Sequence, residues 1–281
     1  MTTVLLVQLL VSFFVGGSLI TLLSLISEKT NQHISGIIMM FPTTLVLGFF
    51  FLGLTTNAEN VSSIIPATLI PIGIVIFSSV IYIYCSIFFA DKVKNKILQI
   101  FCSLLASIVI WFLLASPFAI YKFSNILIGI IGFLIIITIT HLIMRSKHYE
   151  LSLTRPKYTK IQILIRAIFT GSIIATVVLL GKTLNPFLGG IFTMFPAATF
   201  ATLIILHFYY EPRQLFYFMK NAPLGSISLF IYAISIMLLF PKFGVWTGTL
   251  ISYFISLTFW LLLIKYKLRQ HKSNKIESTN R

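Results

Sequence analysis

Apolar residues in this chain gather into long runs separated by short polar segments. Runs near 4–27, 34–54, 63–90, 97–116, 125–144, 163–181, 187–210, 222–240 and 245–264 predict nine membrane-spanning helices. About 20 apolar residues cross a hydrocarbon core roughly 30 Å thick, and each run is near that length. An odd number of spans puts the termini on opposite sides. The opening "MTTVLLVQLLVSFFVGGS" has no basic flank and no small-residue cleavage site, so it reads as a retained first span.

Two runs carry the same interruption. Residues 36–42 read "GIIMMFP" and residues 190–196 read "GIFTMFP", 154 positions apart. Over 17–42 against 171–196, ten of twenty-six positions are identical without a gap. They include Gly17 and Gly171, Ser18 and Ser172, Asn31 and Asn185, Gly36 and Gly190, and the whole Met-Phe-Pro. A register shifted by five aligns Ser107 and Trp111 with Ser256 and Trp260. This predicts an internal duplication, spans 1–4 matching spans 6–9. The extra fifth span delivers the second unit to the opposite side, which makes the repeat inverted.

Composition fixes the class. With 58% hydrophobic and 10% charged residues and a mean hydropathy of +1.00, a soluble domain could not cover its apolar surface. The net charge of +15 sits in short loops and the tail, which argues for topology and against nucleic acid. On the side of the N-terminus stand only Lys122, Lys182 and Lys242; the other eighteen Lys and Arg fall on the opposite side. The basic side is cytoplasmic, so the N-terminus is expected outside and the C-terminus inside a plasma membrane. Tyr82, Tyr84, Tyr121, Tyr209, Tyr210 and Trp246 are expected at span ends as interfacial aromatics, with Trp111 and Trp260 near the ends of spans 4 and 9.

Each proline comes about eight residues into its span, roughly 12 Å deep. Pro42 cannot donate to the carbonyl of Ile38, nor Pro196 to that of Phe192. Thr43, Thr44, Thr193 and Thr199 are the nearby groups expected to satisfy them. Gly36 and Gly190 would admit a neighbouring backbone, and Gly16, Gly17, Ser18, Gly171 and Ser172 are expected helix-packing positions. Either each proline only kinks its helix, or the two breaks form one central site with Met40, Phe41, Met194 and Phe195 as apolar walls. The second pattern is how secondary transporters build binding sites.

The stretch "GIIMMFPTTLVLGFFFLG" (36–53) resembles the signature of the GlpM-type four-span membrane proteins. The second unit keeps the glycine and Phe-Pro but has Ala197 in place of the threonine. The resemblance implies two four-span units joined by a linking helix, a layout similar to drug/metabolite-type exporters.

Only Glu28, Glu59, Asp91, Glu150, Glu211 and Glu277 are acidic, and none is central. This disfavours a proton-coupled exporter of cationic drugs and favours neutral, lipid-like or anionic cargo. Glu28 and its counterpart Lys182 read as solvated caps or as a gate, and His141 and His207 as interfacial residues or a proton relay. Cys85 and Cys102 read as small buried hydrophobes, and no cofactor, metal cluster or catalytic pair is expected. "GKT" at 181–183 lacks the glycine that a phosphate loop needs.

The expectation is therefore an all-α polytopic membrane protein: a first four-span repeat (1–116), a linking helix (117–145), a basic loop (146–162), a second, inverted repeat (163–264) and a basic tail (265–281). Its expected role is a secondary transporter or flippase-like carrier of a small neutral, anionic or lipid-like solute, not an enzyme, embedded in the lipid bilayer and possible as a homodimer. The alternative is a non-transporting scaffold subunit of an envelope or lipid-modifying complex.

Overall fold

The computed structural model describes residues 3–28, 35–145 and 159–279. Most of the expected basic loop, residues 146–158, lies outside them, as do Lys29, Asn31, the side chain of Glu28 and the last two residues of the tail. Among the described residues there is no strand. The helices are α1 (Thr3–Glu28), α2 (Ser35–Met39), α3 (Thr43–Thr55), α4 (Ala58–Ala90), α5 (Lys96–Ile120), α6 (Ile126–Arg145), α7 (Lys160–Thr183), α8 (Pro186–Thr193), α9 (Ala197–Tyr209), α10 (Leu215–Met219) and α11 (Ala222–Thr279), with a 3-10 turn at Pro212–Gln214.

Seven helical stretches are long and apolar enough to cross a membrane, where the sequence predicts nine. Two elements make the difference. The described apolar part of α1, Val4–Leu19, is shorter than the other seven. α11 counts once but doubles back, because Gly244 has φ +72° and ψ −178° in the middle of it. Ser256 Oγ donates to the carbonyl of Ser228, 28 residues earlier, at 2.7 Å. A straight helix would hold those groups about 42 Å apart. α11 is a helical hairpin, and its second arm runs on through the expected tail to Thr279.

The surface suits a lipid environment. Phe101, Leu105 and Phe112 of α5 and Leu127, Ile131 and Leu134 of α6 are exposed, while Ser78, Ser79, Ser103 and Ser107 are buried. Small hydroxyls inside satisfy their own helices, as Ser107 does by donating to the Ser103 carbonyl at 2.7 Å. α6 lies against α4 and the first arm of α11, where Phe133 stacks on Phe230 at 4.6 Å. These lengths and exposures fit a multi-pass membrane protein.

α1 and α7 cross at their matched glycines. A Cβ on Gly17 would come within 2.5 Å of the Ala167 carbonyl oxygen, and one on Gly171 within 2.5 Å of the Phe13 carbonyl oxygen. The two contacts are reciprocal, since 13 and 17 become 167 and 171 on adding 154. Gly16 faces Ile174, whose Cγ1 a Cβ would meet at 3.0 Å. Ser18 and Ser172 are exposed and take no part in the crossing.

Direction follows from the helix ends. Lys182, near the end of α7, donates from Nζ to the carbonyl of Thr55, the last residue of α3, at 3.0 Å. A cation capping those last carbonyls opposes the helix dipole favourably. α3 and α7 therefore finish on the same side, and α8 starts there, capped by Asn185 and opened by Pro186. Hence α8 begins where α3 ends, and the two interrupted spans run antiparallel.

Candidate functional site

Both expected breaks are present, and they share one geometry. Before Pro42, Met40 N–H donates to Ile37 at 3.2 Å and Phe41 N–H to Ile38 at 3.0 Å; after it, Thr43 N–H reaches back to Phe41 at 2.8 Å. Around Pro196 the same bonds run from Met194 to Ile191 at 2.9 Å, from Phe195 to Phe192 at 2.9 Å and from Ala197 to Phe195 at 2.7 Å. Each helix tightens its last turn, makes a three-residue turn at proline and restarts. Pro42 (φ −76°, ψ 33°) and Pro196 (φ −76°, ψ 47°) cap the restarted helices.

The tightening corrects one expectation. The carbonyls of Ile38 and Phe192 are not left for threonine, because Phe41 and Phe195 take them. Thr43 instead makes a 3.4 Å contact to the Phe41 carbonyl, and Thr193 donates to Gly189 within its own helix at 3.0 Å.

The restart has a consequence of its own. The first intrahelical bonds after the prolines are Val46 to Pro42 at 2.9 Å and Phe200 to Pro196 at 2.8 Å. The N–H groups of Thr44 and Leu45, and of Ala198 and Thr199, have no backbone acceptor among the described residues. These are the orphan donors of a helix N-terminus, where the dipole is positive.

The two breaks meet around one cavity of about 50 Å³. Met39, Met40, Phe41, Thr44 and Leu45 line it from the first break, and Thr193, Met194, Phe195, Pro196, Ala197, Ala198 and Thr199 from the second. Ile72 and Val75 of α4 and Leu229 of α11 complete its lining among the described residues. That volume holds a few waters. Among the described residues no lysine, arginine or carboxylate lines it. Of the expected site residues, Gly36, Pro42, Thr43 and Gly190 stand off its wall. The glycines serve close packing: a Cβ on Gly36 would lie 2.7 Å from the Ala222 nitrogen, and one on Gly190 would lie 2.6 Å from Ile64 Cδ1.

Two tryptophans complete the site. Expected near span ends, they sit against the breaks: Trp260 packs on Phe41 at 4.7 Å and Trp111 on Phe195 at 5.0 Å. Trp260 Nε1 donates to the Ile37 carbonyl at 3.0 Å. Trp111 is 1% exposed, and its Nε1 has no hydrogen-bond partner among the described residues. The only sequence signal for this pair was its alignment between the two halves.

Other expected residues stand apart from the cavity. Tyr82 is not interfacial but fully buried, with its hydroxyl 3.1 Å from Nδ1 of the equally buried His207. His141 is half-buried on α6. Tyr121 and Trp246 are exposed, as interfacial aromatics should be. Tyr210 is buried against Phe218 at 4.9 Å.

Comparison with protein-family models, curated proteins and solved structures gives no match. The resemblance of residues 36–53 to the GlpM-type proteins therefore rests on that motif alone.

Proposed function

We propose that this chain is a membrane carrier that moves a small solute by alternating access through the cavity between its two Phe-Pro breaks. In this reading α1, α2–α3, α4, α5, α6, α7, α8–α9 and the two arms of α11 are nine crossings, with the N-terminus outside and the C-terminus cytoplasmic in a plasma membrane. The reversal at Gly244 supports the count. Two four-span units of opposite sense, related to the GlpM-type proteins, flank α6 as the linking helix. The reciprocal Gly17 and Gly171 contacts, the exchange of tryptophans between breaks and the antiparallel course of the interrupted spans all support that inversion.

One observation carries the proposal: two interruptions 154 residues apart in sequence line a single cavity. Paired interrupted helices at a repeat interface are the arrangement on which alternating access works. The uneven tryptophans fit it as well, one break being held by Trp260 while Trp111 stands ready without a partner.

Cysteine accessibility tests this. In a background with Cys85→Ser and Cys102→Ser, Thr44→Cys and Ala198→Cys should react with membrane-impermeant thiol reagents, each from one side. Inert cysteines, with Val93→Cys and Lys122→Cys labelled as loop controls, would overturn the carrier and leave a non-transporting scaffold.

A further inference from the structure

We infer that Trp260 and Trp111 are alternating latches, each pinning one break in one of two end states; the inference rests on the carrier reading and names how its states are held. The register that pairs Trp111 with Trp260 also pairs Ser79 with Ser228, Ser103 with Ser252 and Ser107 with Ser256. Across the breaks, Ile37 and Met40 have identical counterparts in Ile191 and Met194. One set of donors and acceptors is therefore written twice in the chain.

The two copies are not in the same setting. At the first break Trp260 Nε1 donates to the Ile37 carbonyl at 3.0 Å. Ser256 Oγ reaches the Ser228 carbonyl on the other arm of α11 at 2.7 Å. Ser228 Oγ, bonded to the Gly225 carbonyl at 2.7 Å, also leans on that of Met40 at 3.4 Å. These contacts tie α2 to both arms of α11. At the second break the counterparts turn back into their own helices: Ser107 donates to Ser103 at 2.7 Å and Ser79 to Val75 at 2.9 Å. Trp111 is 1% exposed, and its N–H has no acceptor among the described residues. A buried donor left unpaired costs free energy that a second arrangement can recover. The sequence supplies the acceptor in Ile191, the counterpart of Ile37.

In the nine-span reading α2 forms the cytoplasmic half of its span and α8 the outer half of its own. The bonds from α11 to α2 thus close the cytoplasmic side, and the matching bond from Trp111 to α8 is unmade. In the opposite state Trp111 donates to Ile191 and closes the outer side. Trp260 then lets go of Ile37, and Ser256 turns back to Ser252 as Ser107 does to Ser103. Two packings of like stability are what such a switch needs, and an inverted repeat provides them. Phe192 stands where the first unit has Ile38, with its ring 5.9 Å from that of Trp111. That extra bulk beside the indole weighs against its engagement and favours the setting seen here.

The test reads which side reaches the cavity. Thr44→Cys and Ala198→Cys, each with Cys85→Ser and Cys102→Ser, are labelled by an impermeant thiol reagent in intact cells and in inverted vesicles. Trp260→Phe should raise the inside-to-outside labelling ratio about fivefold, the worth of one hydrogen bond. Ser256→Ala, a smaller change should that variant fail to fold, should raise it too. Trp111→Phe should lower the ratio several-fold, and the two tryptophan changes together should return it toward the parent. Phe192→Ile should raise it, but not where Trp111→Phe is also present. The exposed Trp246→Phe should match the parent. No shift, shifts in one direction or shifts in the reverse order, beside reactive cavity cysteines, would overturn the latches and leave the carrier. Inert cavity cysteines would overturn both.

Discussion

Trp111 and Trp260 pack edge-to-face on Phe195 and Phe41 alike, yet among the described residues only Trp260 has an acceptor for its indole N–H. A hydrogen bond in place contributes about 1 kcal/mol, while a buried donor without a partner carries a desolvation penalty instead. Trp260→Phe is therefore expected to lower stability by about 1 kcal/mol more than Trp111→Phe, measured by thermal unfolding in detergent. Equal losses would mean that the two indoles share one environment. The crossing of α1 and α7 makes a second prediction. A methyl on Gly17 meets a backbone oxygen at 2.5 Å, which cannot swing aside as a side chain would. Gly17→Ala should cost about 1–3 kcal/mol, whereas Ser18→Ala, on the exposed side, should stay within about 0.5 kcal/mol.

Among the elements, the breaks were legible because proline has no N–H and its ring crowds the preceding turn. How the chain would accommodate the loss was not. Threonine looked like the compensating group, but the cheaper answer is local: the last turn tightens, and the carbonyls of Ile38 and Phe192 are taken within their own helices. The hairpin of α11 gives a prediction at this scale. Gly244 combines φ +72° with ψ −178°, a region that only glycine enters freely. Beyond its own adjoining backbone, no described residue comes within 4 Å of where its Cβ would stand, so any cost is one of backbone alone. Gly244→Ala should lower stability by about 1–3 kcal/mol, read from the unfolding midpoint; a neutral substitution would show that the reversal does not need this conformation.

For the whole molecule, the decisive relation is how the two halves are set against each other. Lys and Arg are divided three to eighteen by the expected spans, and the capping of α3 by Lys182 of α7 brings the ends of two helices from different halves to one side. Compartment reporters fused after residues 57 and 216 are accordingly expected on opposite sides of the membrane. Finding both on one side would dismantle the proposed inverted arrangement and with it the proposed paired-break carrier.

The sequence by itself determined the class, the places where two helices must break and the likeness of those breaks. Apolar run length, proline chemistry and identity at a fixed spacing are local properties, readable without neighbours. Only the tertiary structure decided that the breaks share one cavity, that Trp111 and Trp260 each pack on the other half's phenylalanine, and that Tyr82 lies buried on His207 instead of at an interface. Those facts depend on which helix faces which. In a chain so uniformly apolar, hydrophobicity does not distinguish a face turned to lipid from one turned to another helix.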